Sequence, residues 1–128
     1  MNDDSKIKSF RELLVWQKGI ELTKAVYCLT QKFPAEEKFG VVSQLRRAAV
    51  SVPSNIAEGQ ARRSSGEFSQ FISVSLGSLA ELETQLIIVS ELGIASCNQT
   101  EPLIVRIHEL QKMLHSLRSK IFIKRSPK

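Results

Sequence analysis

Aromatic residues are scarce in this chain: one tryptophan, one tyrosine and six phenylalanines among 128 residues. That predicts an aliphatic core and leaves out the interleaved aromatics on which single-strand binders stack bases. Cysteine is scarcer still. Cys28 and Cys97 fall in no CxxC or zinc-ligand spacing, so two reduced, packed thiols in a cytoplasmic protein are expected rather than a disulfide framework. There is no Gly-rich phosphate loop and no HExxH, and neither histidine belongs to a nucleophilic triad pattern. His108 and His115 are seven residues apart, about 10 Å along a helix, too far to share one metal ion without ligands from elsewhere. The expectation is a non-enzymatic protein without cofactor or metal. No basic segment followed by an apolar run opens the chain, which argues against a secretory leader. Unbroken apolar runs such as Leu86-Ile87-Ile88-Val89 are far short of the roughly 20 residues of a membrane span. No strand alternation, repeat or low-complexity segment occurs.

The charge distribution has a gap of its own. Between residues 65 and 98 there is no Lys or Arg but there are four Glu, a net charge of −4. Residues 1–64 hold eleven Lys/Arg against seven Asp/Glu, and residues 99–128 hold seven against two. These flanks are therefore +4 and +5, and the whole chain is +5. An acidic segment between basic neighbours either pairs charges across a bundle or leaves basic surface elsewhere for a polyanion.

What is present is helical periodicity. Residues 1–8 are polar and read as a disordered tail. Ser9-Phe10-Arg11-Glu12 has the form of a capping box, opening a helix that runs to about Lys32, ahead of Pro34. Its apolar positions include Leu13, Leu14, Ile20, Leu22, Val26, Leu29 and Phe33, with Trp16 and Tyr27 as partly buried anchors. A second helix is expected from about Glu36 to Arg63, with Glu36 and Glu37 at its positive end. Ser64-Ser65-Gly66-Glu67 is another capping box. The helix it opens carries the stripe Phe68, Ile72, Ser75, Leu79, Leu82, Leu86 and Val89 and ends at Gly93. Its small residues Ser73, Ser75, Gly77, Ser78 and Ala80 would let another helix approach closely. A fourth helix begins around Asn98–Pro102, with Asn or Thr as cap and proline in the first turn. Its stripe is Leu103, Ile107, Leu110, Leu114, Leu117 and Ile121. Four amphipathic helices with short links give an all-α, antiparallel up-down-up-down four-helix bundle over residues 9–123, with a basic tail at 124–128.

The second helix holds the most information. From Gln44 to Gly59, Leu45, Ala49, Val52, Ile56 and Gly59 line one face, while Arg47, Ser51, Asn55, Glu58 and Arg62 line another. Pro53 removes one internal hydrogen bond and crowds the carbonyl of Ala49. The chain either kinks or breaks there, and the unbroken apolar phase favours a kink. The Ser51 and Ser54 hydroxyls are candidates to satisfy the freed carbonyl.

Several motifs agree, in order, with one family. Phe10-x-x-Leu13-x-Val15-Trp16, Phe33-Pro34-x-x-Glu37-x-Phe39-Gly40, the Gln44–Gly59 segment, and Gly77-Ser78-x-x-Glu81-Leu82-Glu83-Thr84-Gln85 resemble the 23S rRNA intervening-sequence proteins, bacterial four-helix-bundle proteins. The resemblance covers about residues 9–122. It implies a four-helix bundle and a ring-like homopentamer. Related bundles are accessory proteins of reverse transcriptases in diversity-generating retroelements, for which nucleic-acid binding is inferred. The family name records where some of its genes lie, inside insertions in ribosomal RNA genes, and does not itself assign RNA binding.

Two groups of polar residues are candidates for function. Ser51, Asn55 and Glu58, with Glu81 and Glu83 from the third helix, are expected to form a polar network that fixes helix register. The other readings are local pairs on an exposed helix, or a small-molecule or catalytic pocket around Asn55 and Glu58. Arg46, Arg47, Arg62, Arg63, Lys120, Lys124 and Arg125 are candidate phosphate contacts. The competing reading is solvated surface charge, with the arginines paired to third-helix glutamates within or between subunits. Without a groove-reading motif, nucleic-acid binding would be electrostatic and weakly sequence-specific. The expected protein is an oligomeric binding scaffold that presents basic surface to RNA or another nucleic acid. The alternative is a protein-interaction scaffold that binds none.

Overall fold

The structure, a computed structural model, describes residues 9–125, so the expected tail at 1–8 and residues 126–128 of the basic tail lie outside the described residues. Four helices account for most of the chain: α1 (Leu14–Thr30), α2 (Ser43–Ala61), α3 (Ser65–Glu91) and α4 (Cys97–Arg125). No strand occurs among the described residues. Each helix packs on its sequence neighbours, and α1 closes the ring against α4.

The helix ends follow from local chemistry, not always at the expected residue. Ser9 caps only a short 3-10 turn, Phe10–Glu12, with its oxygen accepting from the Arg11 N–H. Leu13 is extended, so α1 starts one turn later than the capping box suggested. The second helix also starts late. A 3-10 turn at Ala35–Glu37 and a π turn at Lys38–Val42 precede it, and Gly40 (φ −106°, ψ −107°) leaves the helical region within the π turn. Ser64 does cap α3, accepting from the Glu67 N–H. At the other end of α3, Gly93 takes φ +77°. There the Ile94 N–H donates to Val89 O and the Gly93 N–H to Ser90 O, the paired bonds of a Schellman motif. The cap of α4 is Ser96, before the predicted Asn98 or Thr100. Gln99 N–H donates to Ser96 Oγ while Ser96 N–H donates to Gln99 Oε1, a reciprocal capping box. Pro102 consequently lies beyond the first turn.

The core is the expected aliphatic one. Leu22, Leu45, Ile56, Ile72, Leu79, Leu82, Leu86, Ile107, Leu110 and Leu114 are almost fully removed from water. Truncating one such leucine to alanine typically costs about 3–5 kcal/mol. On α1 the buried face is Val15, Gly19, Leu22, Val26 and Leu29; Leu14, expected inside, is 55% exposed. Side-chain pairs across each seam run in opposite senses. Thr23 meets Ala49 and Arg46 meets Thr30 between α1 and α2. Arg47 meets Glu81 and Ser75 meets Val52 between α2 and α3. Arg118 meets Ser73 and His108 meets Glu83 between α3 and α4.

Helix α2 continues unbroken through Pro53. The Ala49 carbonyl, deprived of its amide partner, faces the Thr23 hydroxyl of α1 at 3.1 Å; the same hydroxyl lies 2.8 Å from Gly19 O. The partner expected from Ser51 or Ser54 thus comes from the neighbouring helix. Gly19 makes this possible, because a Cβ there would sit only 3.3 Å from the Pro53 ring. Gly59 plays the same part against α3, where an added Cβ would lie 2.6 Å from Phe71 Cβ.

By length and hydropathy alone, the 27-residue α3 meets the criterion for a membrane span, which no run of consecutive apolar residues suggested. Its apolar residues divide between two faces. One face fills the core, and the other leaves Val74, Ile87, Ile88 and Leu92 between 45% and 69% exposed. Among the expected small residues, Ser75 and Ser78 are buried in the bundle, whereas Ser73, Gly77 and Ala80 lie on the open face.

Candidate nucleic-acid interface

The seven candidate cations do not form one surface. Arg46 and Arg47 lie near the start of α2, and Arg62 and Arg63 follow about 24 Å further along it. The Arg46 guanidinium turns back onto α1. Its Nε donates to Thr30 Oγ1 at 2.8 Å, and its carbon lies 4.3 Å above the centre of the Tyr27 ring. A cation beside the last turn of α1 complements the negative end of that helix, so Arg46 has a structural task. Arg47 pairs with Glu81 at 2.8 Å. Arg62 pairs with Glu58 at 2.8 Å, reaches Glu67 at 3.9 Å and covers the Phe71 ring. These pairs are half exposed and each is worth a few tenths of a kcal/mol. They nevertheless neutralise the arginines at short range.

Arg63 and Lys120 are different. Neither has a hydrogen-bond or ion-pair partner among the described residues. Arg63 follows the last turn of α2 with φ +65°, a left-handed conformation that costs a non-glycine residue about 1 kcal/mol. That reversal lets a link of only three residues, Arg62 to Ser64, turn α2 into α3. It brings Arg63 to the end of the bundle where α1 begins and α4 finishes. A cleft of about 610 Å³ opens there, lined by Leu13, Gly59, Phe68, Leu117 and Ile121, with Arg63 and Lys120 also on its wall. A smaller hollow beside it, lined by Leu14, Met113 and Leu117, adds Lys112 and shares Lys120. The side chains of Lys124 and Arg125 lie outside the described residues, although the α4 backbone carries both.

Sequence reasoning passes over three cations of this region. Arg11 lies just ahead of α1, Lys112 lines the smaller hollow, and Arg118 donates to Ser73 Oγ and contacts His115 Nδ1 rather than a carboxylate. On the basic α4 segment, the positions of Lys112, Arg118 and Lys120 beside the core stripe are the available signal.

Of the expected polar group, Ser51 and Asn55 are joined, and serines of α3 take the place expected for the glutamates. Asn55 Nδ2 donates to Ser51 O at 2.8 Å and to Ser51 Oγ at 2.9 Å. Ser51 Oγ lies 2.8 Å from Ser78 Oγ, and Ser75 Oγ donates to Val52 O at 2.9 Å. With Thr23 on Ala49 O, side chains serve three carbonyls around Pro53, and polar groups pin α2 to both neighbours. The expected glutamates are not part of this network. Glu58 is held by Arg62, Glu81 by Arg47, and Glu83 lies 2.9 Å from His108 Nε2. His108 and His115 thus have separate partners, and the described residues contain no group of three metal-ligating side chains. The two cysteines are unpaired, but both are exposed rather than packed. Cys28 is on the outer face of α1, and Cys97 opens α4, 3.5 Å from Ser90 Oγ.

Comparisons with known proteins give the fold a context. No match was found among curated proteins. A crystal structure of a Bacteroides thetaiotaomicron protein of unknown function, described as from the S23 ribosomal protein family, superposes with a TM-score of 0.74 at 21% identity. The superposition covers 82% of this chain and 98% of that one, and at this identity the likeness speaks for the fold. The family profile described as 23S rRNA-intervening sequence protein matches residues 11–116, from the turn before α1 well into α4. With its motifs in order and its four helices in place, the chain belongs to the 23S rRNA-intervening sequence protein family.

Proposed function

We propose that this is a non-enzymatic, cytoplasmic binding protein that self-associates and presents the basic end of its bundle to RNA or another nucleic acid. The observation that carries the reading is the pair Arg63 and Lys120. Both are without an acidic partner among the described residues and lie on one cleft, at the end where the backbone of α4 leads to Lys124 and Arg125. Glu58 and Glu67 share the single cation Arg62, a trio of net charge −1 that offsets only part of the +2 of Arg63 and Lys120. The site is smaller than the seven residues read from sequence, and Arg46 and Arg47 fall outside it.

Self-association is supported by the outer face of α3. Ile87 and Ile88 near the end of α3 and its cap residue Leu92 expose apolar side chains, with Val74 about 20 Å further back, on the one helix that has no Lys or Arg. In the homopentamer that the family resemblance implies, the +5 charge of each chain would be repeated five times around a ring. The same α3 face also favours the second reading, a protein scaffold that binds no nucleic acid.

The test is fluorescence anisotropy with structured RNA and with duplex DNA at two salt concentrations, with oligomeric mass recorded on the same samples. Binding should fall steeply with salt, because counterion release drives it. The double variant R63Q/K120Q should lower the slope of log affinity against log salt by about 2, roughly one unit for each lost phosphate contact. R46A removes one charge far from the site and should leave binding unchanged. No binding at low salt, or full binding by R63Q/K120Q, would refute the basic-end reading and leave the scaffold.

A further inference from the structure

The cleft at the basic end is built for more than charge. Its floor is aliphatic and aromatic, from Leu13 of the lead-in to α1, Phe68 of α3, and Leu117 and Ile121 of α4, with Gly59 of α2 also on its lining, packed close against α3. All four helix ends therefore contribute to it. A volume of about 610 Å³ falls in the range of small-molecule sites, about 300–1,000 Å³. Polar groups are confined to Gln60, Arg63, Ser64, Ser65 and Lys120. Ser64 is occupied as the cap of α3, but the first amides of that long helix have no intrahelical acceptor and carry its positive end. A phosphate backbone alone would make no use of the apolar floor. A neutral apolar ligand would make no use of Arg63 and Lys120. A ligand that uses both has an apolar body and one anionic group.

We infer that this cleft binds a medium-chain acyl carboxylate, its chain on Leu13, Phe68, Leu117 and Ile121 and its carboxylate between Arg63 and Lys120. Charge complementarity fixes the orientation. The tail lies against the α1–α4 side chains, and the head meets the cations and the start of α3. This assignment does not rest on the nucleic-acid reading, and a polyanion on Arg63 and Lys120 would compete with the carboxylate for the same cations.

The test is methyl-resolved NMR of the full chain, labelled at Ile, Leu and Val, titrated with decanoate below its micelle concentration. Acetate serves as the head group without a tail. Decanoate should shift the methyls of Leu13, Leu117 and Ile121 saturably, with a dissociation constant of about a millimolar or tighter for a ligand of a dozen heavy atoms. Acetate at the same concentrations should not. R63Q/K120Q changes two exposed side chains without partners, so the fold survives, and decanoate affinity should fall about fivefold through loss of the charge-assisted contacts. Three results would overturn the inference. They are no saturable shift, shifts confined to Val74, Ile87, Ile88 and Leu92 on the outer face of α3, or unchanged affinity in R63Q/K120Q. The third would mean that an apolar hollow takes any greasy chain without reading its charge.

Discussion

Replacing Thr23 by valine removes a single hydroxyl from beside the carbonyl that Pro53 leaves without an amide. The shape of the side chain is nearly kept, so packing changes little. In the wild type, the Thr23 proton is shared between Gly19 O at 2.8 Å and Ala49 O at 3.1 Å. Gly19 O lies in the middle of α1 and keeps the ordinary helical amide of residue 23. Ala49 O has no such fallback. A net hydrogen bond is worth about 0.5–1.5 kcal/mol, and a buried acceptor left bare costs about 1–3 kcal/mol. T23V should therefore lose roughly 1–2 kcal/mol, a fall in Tm of several degrees for a chain of this length. The decisive measurement is a double-mutant cycle with P53A. Alanine at 53 restores an N–H able to bond Ala49 O, so T23V should cost much less in that background. The cycle cancels whatever P53A does to packing against Gly19. Urea unfolding of the four proteins at one fixed concentration, which holds any oligomer linkage constant, should give a coupling of about 1 kcal/mol. Additivity within about 0.5 kcal/mol would show that the Thr23 proton belongs to Gly19, and would end the claim that α1 repairs the proline in α2.

Other positions give independent checks. G59A should destabilise by about 1–3 kcal/mol through overpacking, because the new Cβ meets the Cβ of Phe71 rather than the tip of a flexible chain; wild-type stability in urea would contradict so close an approach of α2 to α3. R63G should gain about 0.5 kcal/mol, since relief of the positive φ slightly exceeds the extra entropy glycine gives the unfolded chain. It should also weaken RNA binding, so stability and affinity should move in opposite directions. I88E places a charge on the open face of α3, and sedimentation equilibrium should show dissociation with helix content by circular dichroism unchanged. An intact oligomer would move the subunit contact to another face.

Much of the fold is legible in the sequence because its information is local and repetitive. The stripes on α3 and α4 repeat every three or four residues, and all but Phe68, Leu117 and Ile121 of those named positions are buried. Helix starts are less legible, since a capping motif can be spent on a single turn. Ser9 opens a 3-10 turn and not α1, while the true box at Ser96 and Gln99 is masked by the nearby proline. At Gly40 nothing in the sequence distinguishes a tolerated helical glycine from a break. The fates of the arginines depend on other helices. Arg46 and Arg47 are adjacent in sequence, yet one turns to Tyr27 of α1 and the other to Glu81 of α3. Which cations remain without partners is a tertiary outcome, and only Arg63 and Lys120 of the expected set are seen to do so. The apolar outer face of α3 is hidden in plain composition, because a helix with two apolar faces reads much like a helix with one.

The link between α3 and α4 turns on handedness rather than size. Around Gly93 there is room for a side chain, with no atom within 4 Å of where a Cβ would lie. The obstacle is the sign of φ, +77°, which an L-residue resists and a D-residue prefers. A protein assembled by chemical ligation with D-alanine at this position would keep the Schellman bonds while restricting the unfolded chain. L-alanine at the same site would fill the same empty space and weaken the turn. Two mirror-image methyl groups, identical in volume and hydrophobicity, should thus shift stability in opposite directions.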